Sequence, residues 1–245
     1  MAENPHCVNN DRTVNVQDSV KSVSKHGLLR STAVFGSMTF LSRMAGLARD
    51  LLQASLFGTG AAVSAFVIAY RIPNFLRRIF AEGSFSSAFV PVLSELREKG
   101  DEAQIQDFLN HIAGALLAAV LLVTACGIAL SPWLARLFLL LADKDSELVA
   151  LTAAMMRITF PYLAFISMTA LAGAVMNSFR HFGLPAFIPV LHNLAIIFAI
   201  LVLAQYFEVP AFALAWGVFL AGLLQFCVMW PALRRFGLKP HFKLN

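Results

Sequence analysis

Long apolar runs, separated by short polar or glycine-containing breaks, follow one another along the chain from residue 28 onward. A helix that crosses a bilayer needs about 20 consecutive, mostly apolar residues. This pattern predicts an all-α, polytopic transmembrane helical bundle rather than a soluble domain with narrow apolar stripes. We predict six membrane-spanning helices, at residues 28–57, 62–80, 108–130, 148–178, 184–206 and 211–233.

Prolines and glycines mark the predicted breaks between and within these spans. The stretch 58–62 separates the first two spans, and Ser131-Pro132 is expected to end the third. Pro73 is expected to break the second span in its middle, because proline lacks the N–H that an inner helical turn uses. The pattern at 84–100 predicts a short amphipathic helix that lies along the membrane surface.

The composition agrees with a membrane protein and argues against an enzyme. Hydrophobic residues make up 58% of the chain and charged residues 13%, about half the charged fraction of soluble domains. Cys7, Cys126 and Cys227 show neither disulfide-framework nor metal-site spacing. No nucleophile elbow, HExxH, P-loop or paired-carboxylate motif is present. We therefore expect a non-enzymatic protein with no metal and no cofactor.

The distribution of Lys and Arg predicts how the spans are oriented. A net charge of +5 in a polytopic protein reflects basic cytoplasmic loops more often than nucleic-acid binding, so we expect no nucleic-acid partner. With both termini cytoplasmic, the outer loops hold only Arg136 and Lys144. The inner segments then hold Arg12, Lys21, Lys25, Arg30, Arg97, Lys99, Arg180, Arg234, Arg235, Lys239 and Lys243. The predicted organisation is a polar cytoplasmic tail at 1–26, a six-span lobe at 27–233 and a basic cytoplasmic end at 234–245.

The first two predicted spans carry charges that a lipid-facing helix would not tolerate. An arginine at the bilayer centre costs about 2.5–3.5 kcal/mol on insertion scales, unless it faces water or a partner. The five arginines outnumber the two nearby acids, Asp50 and Glu82; they are Arg43, Arg49, Arg71, Arg77 and Arg78. This excess favours a water-filled cavity that binds an anion. The alternative is a structural network, in which Arg49 pairs with Asp50 and Arg43 extends to the membrane interface.

Phosphate is the anion that these side chains suit best, because a guanidinium group donates two parallel, charge-assisted hydrogen bonds. Asn74 and Ser42 would add neutral donors. Helical geometry places Arg43, Gly46 and Asp50 on one stripe of the first span, with Ser42 and Arg49 on the neighbouring stripe.

Two further features lie in the last spans. His192 and Asn193 suggest a proton relay, although a single intramembrane histidine more often hydrogen-bonds a neighbouring helix. Gly217 and Gly222 are typical of close helix packing.

Several segments resemble the MurJ (MviN) lipid II flippase family. These are LSRMAGLARD (41–50), RIPNFLRRIFAEGSFSSAFVPVLSE (71–95), ITFPYL (158–163), GAVMNSFRHFGLPAF (173–187) and LAWGVFLAGLLQ (214–225). The resemblance implies a bacterial cytoplasmic-membrane protein of peptidoglycan biosynthesis. Its function would be to move lipid II, the undecaprenyl-diphosphate-linked precursor, from the inner to the outer leaflet.

The resemblance also implies roles for particular residues. By position, the substrate-binding residues would be Arg43, Arg49, Arg77, Asn74 and Ser42, in a cavity between two six-helix lobes. Gly46, Asp50 and Glu82 would act in gating or packing.

The sequence departs from the family in two respects. Ser64 stands where some members carry an acidic residue, and the family has about fourteen spans whereas six are predicted here. The resemblance therefore corresponds to the N-terminal lobe, which would need a second six-helix lobe, for instance on another chain. An exporter of another lipid-linked glycan and an inactive truncated fragment stay open as alternatives.

Overall fold

The computed structural model describes residues 33, 36–79, 89, 91–96, 100, 102–139, 146–179 and 181–235, and the regular structure within them is entirely helical. Its helices in chain order are α1 (36–57), α2 (Ala61–Arg77), α3 (91–96), α4 (Glu102–Leu139), α5 (Ser146–Thr159), α6 (Tyr162–Ser178), α7 (Gly183–Phe198) and α8 (Phe212–Arg235). A π-helical segment, Ala199–Leu203, and a 3₁₀ turn, Ala204–Tyr206, continue α7. The predicted tail at 1–26, Glu82 and the terminal residues 236–245 lie outside the described residues. The all-α fold is confirmed.

Four segments of the described chain are long and apolar enough to cross a bilayer: Ala103–Leu139, Ser146–Ser178, Gly183–Tyr206 and Phe212–Arg234. They confirm the third to sixth predicted spans, and the chain is a multi-pass membrane protein. The second of these segments comprises α5 and α6.

The first two predicted spans correspond to α1 and α2, which do not meet the same criterion. Arg43, Arg49 and Asp50 place three charges on α1. Helix α2 has 17 residues, or about 25 Å at 1.5 Å per residue, against a hydrocarbon core of about 30 Å. The count of six spans therefore stays a prediction.

Pro73 does not break α2, so the predicted break is wrong. The helix continues from Ala61 to Arg77 with Pro73 buried inside it. Proline removes the N–H that would bond to the carbonyl of Ala69, four residues earlier. The Thr159 hydroxyl lies 3.2 Å from that carbonyl oxygen and donates to it. This interhelical bond replaces the lost donor and joins α2 to the end of α5.

Pro132 likewise lies inside a helix, so the predicted end of the third span at Ser131-Pro132 is also wrong. Helix α4 runs on to Leu139. The carbonyl that loses its helical donor is that of Ile128, and the Ser131 hydroxyl donates to it at 2.9 Å. The same hydroxyl oxygen accepts a hydrogen bond from Arg157 Nε at 3.1 Å. A hydroxyl thus compensates for proline at this second position also.

The helices pack around two apolar clusters. One joins α3, the first half of α4, the ends of α6 and α8, and Ile188 of α7. The other joins α2, α5, the start of α6, the C-terminal part of α7 and the start of α8. Helix α8 contacts both α6 and α7, and its glycines permit close approach: a Cβ on Gly222 would lie 2.7 Å from Tyr162, and one on Gly217 would lie 2.9 Å from Ala199. This confirms the predicted packing role of both glycines.

Candidate functional site

A cavity of about 610 Å³ lies between α1, α2, α6, α7 and α8, where the two apolar clusters meet. Arg49 of α1 and Arg77 of α2 contribute positive charge to its wall, and none of the described lining residues is acidic. A volume of this size is typical of small-molecule sites. The cavity therefore offers two guanidinium groups to a ligand without a carboxylate on the same wall.

Arg49 is held in place by two neighbours. Its Nε and Nη2 donate to Asp50 Oδ1 at 3.0 and 2.8 Å, and its Nη1 donates to Asn193 Oδ1 at 2.9 Å. A guanidinium group has five N–H donors, so one N–H on each terminal nitrogen has no partner among the described residues. Arg49 thus pairs with Asp50, as a structural network would require, but this pair leaves N–H donors on Arg49 that an anion can use.

Arg77 and Asn74 form the α2 part of the wall. Arg77 Nε donates to Asn74 Oδ1 at 3.1 Å, across one turn of the same helix. Both residues are half-buried and both line the cavity. Because Thr159 bonds to the turn that contains Pro73, this part of α2 is fixed against α5.

The other predicted residues of α1 separate into two groups. Ser42 and Gly46 lie on the stripe that faces α7, where the Ser42 carbonyl accepts a bond from Asn193 Nδ2 at 3.0 Å. A Cβ on Gly46 would lie 3.6 Å from the same nitrogen. Arg43 and Asp50 are exposed and do not line this cavity.

Asp50 faces a second hollow of about 480 Å³ between α1 and α2. Gln53, Thr59 and Ser64 also line it. The Ser64 hydroxyl donates to the carbonyl of Gly60 at 3.3 Å, which keeps its hydrogen within the local turn.

Asn193 lines the cavity but was not predicted to bind the ligand. It accepts from Arg49 and donates to the Ser42 carbonyl, so one amide joins α7 to α1 at two points. The pair His192-Asn193 was selected from the sequence, but His192 was predicted to hydrogen-bond the neighbouring helix. Instead, the buried Nδ1 of His192 has no hydrogen-bond partner among the described residues.

Neutral polar residues from α6, α7 and α8 complete the lining of the cavity. The Tyr162 ring lies 6.1 Å from that of Tyr70 and 5.8 Å from that of His192. Thr169 and Gln225 belong to the same wall. These residues gave no motif in the sequence, because single neutral residues on separate helices have no characteristic spacing.

The sequence is similar to a named protein family. The family model described as "Lipid II flippase MurJ" matches residues 53–245. "Lipid II flippase MurJ" of Burkholderia cenocepacia is 40% identical over 218 residues, which cover 89% of this chain and 42% of that protein. "Probable lipid II flippase MurJ" of Haemophilus influenzae is 44% identical over 208 residues, covering 82% of this chain and 41% of that protein.

The fold is similar to a solved structure of "Lipid II flippase MurJ, inward closed conformation". The TM-score is 0.72 at 28% sequence identity, over 85% of this chain and 43% of that chain. The chain thus spans about two-fifths of the length of these relatives.

Proposed function

The chain belongs to the lipid II flippase MurJ family, a family of transporters rather than enzymes, and we propose that it forms the N-terminal half of such a flippase. The substrate would be lipid II, which carries an undecaprenyl chain and a glycopeptide headgroup on either side of a diphosphate. The protein would move that headgroup from the inner to the outer leaflet of the bacterial cytoplasmic membrane. Both termini would face the cytoplasm, as the Lys and Arg distribution predicts.

The observation that carries this proposal is the pair Arg49 and Arg77 in one cavity between apolar helices. A diphosphate supplies several acceptor oxygens, and each guanidinium group donates to them with charge-assisted bonds. Asn74 orients Arg77, and Asn193 with Asp50 orients Arg49, so little side-chain freedom is lost when the anion binds. The prenyl chain would stay in the surrounding lipid.

A second lobe, from further sequence of the same polypeptide or from another chain, would cover the exposed side of α1. That side carries Phe40, Met44 and Leu47, each about half exposed or more, and it also carries Arg43. Arg43 would then face the interior between the lobes, where its predicted contact with substrate requires it to be. Gly46 and Asp50 would serve packing and gating where the lobes move past each other.

The experiment is rescue of cells depleted of their own flippase. The chain is supplied together with a second lobe, and growth and membrane insertion are measured for each variant. Arg49→Ala and Arg77→Ala should abolish rescue while insertion is unchanged. Each loss of a charged hydrogen bond costs about 1.5–3 kcal/mol, which corresponds to about a tenfold to hundredfold loss of affinity.

Arg136→Ala is the matched control, because this arginine lies against the exposed Trp133 ring at 5.8 Å and does not line the cavity. It should retain rescue. Full rescue by Arg49→Ala and Arg77→Ala would contradict the site. Rescue of a different lipid-linked glycan pathway, without rescue of peptidoglycan synthesis, would favour the alternative exporter function.

A further inference from the structure

Gln225 lines the cavity and has an acceptor atom to which no described residue donates a hydrogen bond. The residue is 2% exposed, and its Nε2 donates to the backbone oxygen of Ile188 at 3.0 Å. Because a carbonyl oxygen can only accept, this bond fixes the amide nitrogen on Ile188 and leaves Oε1 as the acceptor. That oxygen is buried without a partner within the described chain.

His192 presents a second unpartnered atom one helical turn away. Ile188 and His192 are four residues apart on α7, so Gln225 and His192 meet the same face of that helix. The Nδ1 atom of His192 is buried without a partner among the described residues. It is an acceptor in the neutral tautomer that carries the ring proton on Nε2. The His192 ring contacts Tyr162, which keeps it at the cavity.

The backbone of α7 adds a third acceptor to this face. Pro189 has no N–H, so the carbonyl of Pro185 lacks its usual intrahelical donor. At the equivalent positions next to Pro73 and Pro132, a hydroxyl group donates to the freed carbonyl. In the part of the chain that is described, no side chain does so for Pro185, and both prolines of α7 line the cavity.

We propose that the α7–α8 wall binds the uncharged, donor-bearing part of the ligand, namely hydroxyl and amide N–H groups of a glycan or acylated amino sugar. This inference rests on the proposed function and adds an orientation to it. A diphosphate has only acceptor oxygens, so it matches the arginine wall and is disfavoured by a wall of acceptors. The diphosphate therefore contacts Arg49 and Arg77, and the neutral headgroup contacts Gln225 and His192.

The energetic reason lies in the cost of buried acceptors that have no donor. Most buried polar groups in proteins are paired, and an unpaired group loses its hydration without compensation. A ligand that supplies the missing donors recovers this loss, whereas a ligand without donors does not. Both side-chain atoms lie beneath the cavity surface in this conformation, so the ligand has to displace the side chains slightly to reach them.

The test compares two ligands in equilibrium binding to the full chain: undecaprenyl diphosphate, and the same lipid carrying an N-acetylated disaccharide. Gln225→Leu removes the acceptor at similar volume, and His192→Phe removes Nδ1 but keeps a ring against Tyr162. Each variant should weaken binding of the disaccharide lipid about fivefold, the effect of one neutral hydrogen bond. Binding of undecaprenyl diphosphate should be unchanged.

Thr124→Val is the matched control, because Thr124 also has a buried oxygen without a partner among the described residues but does not line the cavity. It should leave the preference between the two lipids unchanged. An equal loss of both lipids in Gln225→Leu and His192→Phe would indicate a structural role and overturn the proposal. The proposal would also be overturned if neither variant weakened the binding of either lipid, or if the wild-type chain bound both lipids equally.

Arg49→Ala separates this test from that of the proposed function. If the diphosphate proposal holds, this variant weakens both lipids alike. If it weakens neither, the diphosphate site is wrong, while a disaccharide-specific loss in Gln225→Leu would still support the acceptor wall.

Discussion

The interhelical bond from Thr159 to the backbone of α2 can be tested by a double-mutant cycle with Pro73. Thr159→Val keeps the side-chain volume but removes the hydroxyl that donates to the Ala69 carbonyl at 3.2 Å. Pro73→Ala restores the backbone N–H that would otherwise reach the same carbonyl. If the hydroxyl replaces the missing N–H, the first substitution should matter only while proline is present.

The expected magnitude follows from the burial of the groups. Ala69 and Thr159 are both fully buried. The hydroxyl also lies 3.2 Å from the Met156 carbonyl, but that oxygen already accepts from the Phe160 N–H at 2.9 Å. We therefore expect the single hydroxyl hydrogen to bond chiefly to the Ala69 carbonyl, which has lost its backbone donor. Leaving a buried carbonyl unpaired costs about 1–3 kcal/mol in soluble proteins, and measured interhelical bonds in membranes reach about 1.7 kcal/mol.

We expect Thr159→Val to lower the free energy of unfolding by about 1–1.5 kcal/mol in the natural background, and by less than about 0.5 kcal/mol when Pro73→Ala is present. The measurement is equilibrium unfolding in mixed detergent micelles. Thr152→Val is the control, since Thr152 is equally buried but its hydroxyl has no partner among the described residues. That substitution should be neutral or stabilising. An equal loss from Thr159→Val in both backgrounds would refute the compensation.

Substitutions at two further positions probe other polar contacts of the bundle. Ser131→Ala removes both the donor to the Ile128 carbonyl and the acceptor for Arg157 Nε, so we expect a loss of about 1–3 kcal/mol in the same unfolding assay; an unchanged midpoint would contradict both bonds. Asn193→Leu should release Arg49 from α7 and unfold more easily than Asn193→Asp, which keeps an acceptor for the guanidinium; equal stability of the two variants would show that the Arg49 contact contributes nothing.

The sequence predicted the helices whose hydrophobic runs are uninterrupted by charge. The segments from α4 to α8 can be recognised from their length and apolarity alone. Neither property changes much if the predicted ends are wrong by several residues. The rotation of α1 about its own axis was not predictable in the same way. Helical geometry grouped Gly46 with Arg43 and Asp50, but the contacts with Asn193 show that Gly46 faces α7 together with Ser42 and Arg49.

The candidate site was predictable where charge made it conspicuous. Arg49 and Arg77 were selected because a guanidinium group in an apolar helix is costly unless it faces water or a partner. Asn74 was selected as a neutral donor beside them, and all three line the cavity. Gln225 and Asn193 were not selected for binding, because one neutral amide in a helix costs little and has many interpretations. Their importance arises from atoms on other helices, at distances of 37 and 144 residues along the chain.

The prolines explain why the fold prediction failed locally, although Arg49, Asn74 and Arg77 still line one cavity. A rule that considers only the lost N–H expects a break at Pro73. The compensating donor to the Ala69 carbonyl comes from Thr159, which is 90 residues from Ala69 in sequence. Because α2 continues through Pro73, Asn74 and Arg77 keep their helical spacing, and the bond between them at 3.1 Å can form. Had α2 broken as predicted, Arg77 would have lost both its orientation and its fixed place on the cavity wall. The continuity of this helix is thus a precondition for the arginine pair on which the proposed diphosphate site depends.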